Sequence, residues 1–186
     1  VFHEVAHMWF GNLVALKWWN ETWLKEGFAD FFANRLLRQL GPKLSCPPEE
    51  TDLIVASSKR WGMNRDASSY THPLTAVVPS TDEADANFDG ISYSKGAAVI
   101  ENLCLLIGEA EFFKGLRRYL KAFQLKSATV HDLINCFASS TQPERDIEKK
   151  VAQWKEEWVD TAGLNVVCCC ARQGSINFKQ AGLRKE

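Results

Sequence analysis

The sequence carries almost no net charge: 22 basic against 23 acidic side chains leave −1 over 186 residues. So balanced a chain offers no electrostatic case for nucleic acid or for an anionic membrane surface. No run approaches the roughly 18 apolar residues of a membrane span, so no membrane contact is evident in this segment. No charged stretch followed by an apolar one opens the chain, so no signal peptide is evident. An initiator methionine is lacking as well, and Val1-Phe2 already lie inside a helical pattern. The chain therefore reads as a piece of a longer protein. Internal repeats and low-complexity segments are absent. The rest, 46% apolar and 24% charged residues, is ordinary globular composition, with length enough for one domain and a sizeable core.

The six cysteines lack any zinc-ribbon spacing. They are Cys46, Cys104, Cys136 and the run Cys168-Cys169-Cys170. Three adjacent cysteines alternate faces in a strand and match no disulfide framework. They are expected to be reduced, buried or half-buried thiols, which by compartment logic points to a cytoplasmic protein. A membrane-anchored parent stays open as the alternative.

Helical signals dominate. A first helix is expected to end near Gly11, followed by an aromatic-rich connection from Asn12 to Glu21. A second runs from about Thr22, read as its cap, to Gln39, with Gly41-Pro42 as its stop. Cys46-Pro47-Pro48 is a break, Glu49 to Gly62 is helical, and Asn64 to Asp89 is mostly loop. A helix from about Ser92 to Ile107 carries Tyr93 in its first turn and ends at Gly108. Glu109 to Phe123, Val130 to Ala138 and Asp146 to Thr161 are three more amphipathic helices. After Gly163 the pattern shifts to short strands, Val166 to Cys170 and Ser175 to Phe178. The density of Trp9, Trp18, Trp19 and Trp23 suggests core packing for most of them, because such rings bury large area.

His3-Glu4-Val5-Ala6-His7 is the most informative stretch. Residues four apart on a helix project from nearly one face, so His3 and His7 can both offer a ring nitrogen to one metal ion. Glu4 lies one step round, placed to reach a water rather than the metal. His-Glu-x-x-His is a metalloprotease signature that also occurs by chance. Two histidines and a carboxylate such as Glu26 would leave a fourth position open, as catalytic zinc sites do. His72 and His131 read as surface histidines. Glu148-Lys149-Lys150 and Glu156-Glu157 read as a solvated helix face. Lys95 either touches substrate or faces solvent.

The stretch from His3 to Val14, running into Trp18-Trp19-Asn20-Glu21-Thr22-Trp23-Leu24-Lys25-Glu26-Gly27-Phe28-Ala29, resembles the zinc-binding segment of the aminopeptidase N family of metallopeptidases, of gluzincin type. In that family the third ligand is the Glu that follows the second His after eighteen intervening residues, where Glu26 stands. A second landmark is Phe88-Asp89-Gly90-Ile91-Ser92-Tyr93-Ser94-Lys95-Gly96-Ala97, in which Tyr93 matches the family's catalytic tyrosine. The resemblance covers nearly the whole chain and is weaker from Gly41 to Ser68.

It implies a mainly α fold: the helical C-terminal part of a thermolysin-like catalytic domain at residues 1–163, then the first strands of a β-sandwich at 164–186. It implies one Zn2+ per chain, held by His3, His7 and Glu26. The activity implied is removal of N-terminal amino acids from peptides, through zinc-activated water with Glu4 as general base and Tyr93 as oxyanion donor. Peptide substrates are the partners implied; oligomeric state has no signal.

The chain also departs from the family pattern. Many members carry a Glu seven residues after the third ligand, and here that residue is Ala33. Asp30, four after Glu26, can orient a ligating histidine instead, or be a solvated helix carboxylate. Glu21 stands where the family usually has Asp, with an outer supporting role in view. Lys25 replaces a frequent Asn and Met8 a frequent Gln. The Gly-x-Met-Glu-Asn segment that recognises the substrate amine is not contained in these residues. An epoxide hydrolase on the same metal site, and a truncated non-catalytic fragment, are the alternative readings.

Overall fold

The computed structural model describes residues 1–138, 146–172 and 175–182. The expected 164–186 segment therefore extends in part, at 173–174 and 183–186, outside the described residues. The order is α1 (Phe2–Ala6), β1 (Val14–Leu16), α2 (Trp23–Leu40), α3 (Pro48–Asp66), α4 (Thr81–Ala84), α5 (Gly96–Ile107), α6 (Glu109–Phe123), β2 (Lys126–Ala128), α7 (Val130–Ala138), α8 (Ile147–Trp154), β3 (Asn165–Arg172) and β4 (Ser175–Gly182). The fold is mainly helical, as the periodicity predicts. No described helix is long and apolar enough to cross a membrane.

Amphipathic spacing explains the core. In α5 the buried positions are Ala97, Val99, Ile100, Leu103, Cys104 and Ile107, a repeat of three and four that makes one helix face apolar. Gly108, at φ 87°, turns the chain directly into α6, a left-handed conformation that glycine adopts without a Cβ penalty. Phe112 and Leu116 of α6 then meet Leu133 and Phe137 of α7 and Phe31 of α2 in one cluster. Each such side chain, fully buried, contributes about 1.5–3 kcal/mol. Trp154 of α8 closes the cluster, its ring nitrogen donating to the Val99 carbonyl at 3.0 Å inside the core.

Several expectations are corrected. The regular α-helix of α1 stops at Ala6, but helical hydrogen bonds continue to Phe10 and then widen, with the amides of Asn12, Leu13 and Val14 reaching five residues back. Gly11, at φ 111°, makes the reversal. The connection after it contains β1, which pairs in parallel with β2 in the register Val14↔Lys126; strands of three residues leave no alternation to read. Thr22 does not cap α2 from its side chain: a 3-10 turn (Trp19–Glu21) runs straight into the helix and the Thr22 hydroxyl donates to the Trp19 carbonyl. Of the four tryptophans only Trp23 is in the core, while Trp9, Trp18 and Trp19 are exposed. α3 runs on to Asp66, and 81–87 are helical, opened by a reciprocal Ser80–Glu83 capping box.

Tyr93 is carried by a five-residue π turn, Ile91–Lys95, that leads into α5. That turn is wedged between α2 and α3. A Cβ on Gly27 of α2 would lie 3.0 Å from the Gly96 carbonyl carbon, and one on Gly62 of α3 only 2.9 Å from Ser94 Cβ. The hairpin β3–β4 is antiparallel, pairing Asn165↔Gly182 through Arg172↔Ser175. It exposes Cys168, Cys169 and Cys170 to solvent, where burial or half-burial was expected.

The close approach of α2 to Gly96 gives a stability test. Gly27→Val should lower the free energy of unfolding by about 1–3 kcal/mol, the usual cost of overpacking a contact that cannot relax. Urea midpoints of the two proteins measure it; an unchanged midpoint would mean that the two backbones separate freely.

Candidate metal centre

α1 and α2 pack side by side and bring three side chains to one point. His3 Nε2 and His7 Nε2 lie 2.9 Å apart. Glu26 Oε2 is 3.3 Å from the first and 3.2 Å from the second. A tetrahedral ion with bonds of about 2.0–2.1 Å separates its ligand atoms by about 3.3–3.4 Å, so this triangle has the size of one face of such a site. Among the described residues it is the one group of three or more His, Cys, Asp or Glu ligand atoms gathered this closely.

The chemistry of the donors fits a cation. Glu26 is 3% exposed, and its buried Oε2 has no partner beyond the two imidazole nitrogens at 3.2–3.3 Å. A buried carboxylate oxygen left this way is costly unless something positive meets it. The outer nitrogens of both imidazoles are engaged. His7 Nδ1 donates to the Phe10 carbonyl at 2.9 Å, and His3 Nδ1 to Asp30 Oδ1 at 2.8 Å. Both partners only accept, so each Nδ1 carries the proton and each Nε2, in the neutral ring, presents its lone pair to the centre.

The surrounding charges are unequal. Lys25 Nζ lies 3.2 Å from Glu26 Oε1, on the side away from the histidines, and 5.5 and 5.1 Å from the ring centroids of Trp19 and Phe88. Burial pushes the Glu26 carboxyl up, but the His3 hydrogen bond and the Lys25 charge outweigh it and hold the pKa below the ordinary value. The hydrogen bonds of Asp30 and Glu26 raise His3 to about 9. Tyr93 stacks on His3 with ring centroids 5.8 Å apart and planes 11° apart. Burial, then the charges of Glu26, Asp30 and Glu4, push its hydroxyl well above the usual phenol value.

The candidate residues thus fall into two groups. His3, His7, Glu26, Asp30 and Tyr93 are gathered at one place, and exposed Glu4 sits beside them on α1. Glu21 has a different setting: buried, its Oε1 accepts from Val130 N at 3.0 Å, at the start of α7. Burial raises its carboxyl. Lys95 neither faces solvent nor reaches the metal cluster; its ammonium lies 2.9 Å from Asp66 Oδ2. His72 is not a free surface histidine but is bonded to Asp89 and to the Pro73 carbonyl. Sequence reasoning missed Phe10, whose contribution is a carbonyl and leaves no residue-type signal, and the contact of Lys25 with the Glu26 carboxylate.

The His3 shift fixes a pH dependence for the metal-free chain. The folded pKa, about 9, lies above the ordinary imidazole value of 6.5, so the protonated ring stabilises the fold fully below about 6.5, and that contribution is lost as pH rises through 9. Urea midpoints in chelator should fall over this interval, and less steeply in Asp30→Ala. Equal slopes would refute the assignment to Asp30. The same Asp30→Ala substitution should weaken metal affinity by about 10–100-fold, measured by competition with a chelating dye.

Residues 1–158 match the Peptidase family M1 domain. The chain is 38% identical over its whole length to a leucyl aminopeptidase of Saccharolobus solfataricus, and 36% identical over 90% of its length to an aminopeptidase N of Streptomyces lividans. It spans 22% and 19% of those two proteins. The fold superimposes, with a TM-score of 0.63 and 27% identity, on the crystal structure of a mutant M1 zinc metallopeptidase from Deinococcus radiodurans bound to a Tyr-Ser-Ala substrate, covering 88% of this chain and 33% of that one. With the family's domain matched over most of its length, the chain belongs to peptidase family M1.

Proposed function

We propose that this chain is the C-terminal part of the catalytic domain of a zinc-dependent aminopeptidase, with residues 1–163 in that domain and 164–186 opening a β-rich one. The observation that carries the reading is the closed triangle of His3 Nε2, His7 Nε2 and Glu26 Oε2, with both outer imidazole nitrogens already occupied. Relatives named as aminopeptidases, and a neighbour named as a zinc metallopeptidase, support the metal and the substrate class. His3, His7 and Glu26 would hold one zinc, which when bound polarises a carbonyl and acidifies water.

The chain's own side chains supply the rest. Glu4, exposed at the mouth of the site, takes a proton from water onto its carboxylate and returns it to the departing amine. Its exposure leaves it free to meet substrate and solvent, as a shuttle must. The Tyr93 hydroxyl stays protonated at neutral pH because burial and nearby carboxylates oppose its ionisation. It is therefore a donor, and donates to the oxyanion of the tetrahedral intermediate as charge develops there. Asp30 holds the His3 ring in the orientation that turns Nε2 inward. Lys25, on Glu26 Oε1, leaves Oε2 as the oxygen that faces the ligand histidines.

Elemental analysis and hydrolysis of an aminoacyl arylamide test the proposal together. One zinc per chain is expected, lost in His7→Ala. Glu4→Gln should keep the zinc and lose turnover, and Tyr93→Phe should lower kcat by about 10²–10³ with metal content unchanged. Undiminished turnover in Glu4→Gln would end the general-base assignment, and zinc retained in full by His7→Ala would end the ligand assignment.

A further inference from the structure

The π turn that carries Tyr93 is a weak place to mount a side chain that must be held to a fraction of an ångström. Such turns are rare, wide and limited to a single turn, and their first amides have no partner inside the turn. In this chain those amides are bonded. Asp89 Oδ1 accepts from Ile91 N at 2.9 Å and from Ser92 N at 3.3 Å, while the Asp89 carbonyl accepts from Tyr93 N at 3.1 Å. One residue thus fixes the first three amides of the turn.

Asp89 is itself held from outside. Its Oδ2 accepts from Arg65 Nε at 2.7 Å and from His72 Nε2 at 3.1 Å. The far end of the turn is tied to the same place in the fold: Lys95 Nζ meets Asp66 Oδ2 at 2.9 Å and donates to the Thr161 carbonyl at 3.3 Å. Asp66 is 2% exposed and accepts through Oδ1 from Thr71 Oγ1 and Gly163 N. Arg65 and Asp66 are consecutive residues at the end of α3. One helix terminus therefore grips both ends of the turn, by ion pairs of opposite polarity. Between the grips the backbones touch, since a Cβ on Gly90 would lie 2.9 Å from the Trp61 carbonyl oxygen.

We propose that Asp89 is a positioning residue for Tyr93, setting the phenol over the metal centre by capping the π turn while Arg65 and His72 hold its second oxygen. This rests on the reading of Tyr93 as the oxyanion donor. Asp89 touches neither substrate nor metal in that reading; it acts only through the placement of the ring stacked on His3. Losing the carboxylate frees the Ile91 and Ser92 amides, lets the turn relax toward an ordinary α-helical winding, and swings the hydroxyl off its line.

The test needs a readout that general loosening of the fold would leave unmoved. Only three tyrosines are present, Tyr70, Tyr93 and Tyr119, so tyrosine labelled with 13C at Cζ gives three resolvable signals in the full chain. Asp89→Ala should shift the Tyr93 signal and leave that of Tyr119, buried at the far side of α6, in place. With zinc bound and KM unchanged, kcat should fall by about 10–100-fold, the cost of a misplacement near 1 Å. Asp89→Asn, which keeps an oxygen for the Ile91 and Ser92 amides, should recover a large part of both effects. In a Tyr93→Phe background Asp89→Ala should then cost little further. An equal loss of kcat in both backgrounds, or a Tyr93 signal unmoved by Asp89→Ala, would overturn the proposal. A kinetically silent Tyr93→Phe would overturn the oxyanion assignment instead, and the Tyr93 resonance alone would then decide whether Asp89 positions the ring.

Discussion

The contact on which the site depends is the one between Gly27 and Gly96. Glu26 precedes Gly27 in α2, and Tyr93 lies three residues before Gly96. When two backbones approach until no Cβ fits between them, the side chains flanking the contact are brought together as well. A Cβ on Gly27 would sit 3.0–3.1 Å from the carbonyl carbon and Cα of Gly96, which real side chains do not tolerate against backbone. Two glycines inside or at the edge of helices cost about 0.5–1 kcal/mol each relative to alanine. That cost is offset by the packing of α2 on α5 along the rest of their length, where Phe28, Phe31, Ile100 and Leu103 are all buried.

Glu26 shows the electrostatic side of the same arrangement. Its carboxylate is buried, and desolvation opposes its charge. Three cationic or proton-bearing neighbours keep it ionised: His3, His7 and Lys25. The two imidazoles are in turn fixed by acceptors on their far sides, one from the carboxylate of Asp30 and one from the backbone at Phe10. The centre is thus a small set of charges, each of which would be unfavourable alone. A cation at the middle suits every member: it satisfies Glu26 Oε2 and displaces the proton that His3 otherwise keeps. The outer hydrogen bonds of His3 and His7 already hold both rings with Nε2 turned inward.

The parts legible in the sequence were those carried by residue type and period. His3, His7 and Glu4 follow from helix geometry, and α5, α6 and α7 from apolar spacing, their ends at Gly108 and Phe123 included. Glu26 and Tyr93 needed the family pattern, because no local rule says which carboxylate or phenol meets a metal that lies a fold away. The paired strands β1 and β2 left no trace at three residues each. Trp9, Trp18 and Trp19 were misread because large aromatics are only usually buried, and here they face outward around the cleft and the α1 surface. Glu21 had a family position but no partner in the sequence; its partner, Val130 N, lies 109 residues away. Asp89 was the most readable omission. An aspartate two residues ahead of a helical start is a capping residue by ordinary rules.

The two halves of the candidate site are built differently. The candidate ligands stand on helical turns, His3 and His7 one turn apart and Glu26 at the start of an eighteen-residue helix. Their geometry is set by packing and needs little local correction. Tyr93 stands on a π turn, whose wide winding turns the phenol to lie over His3 with planes 11° apart. In this position an α-helical turn would rotate the side chain away by its shorter repeat, so the irregular winding is part of how the ring is aimed. An irregular turn needs external restraint, and the end of α3 supplies it at both ends.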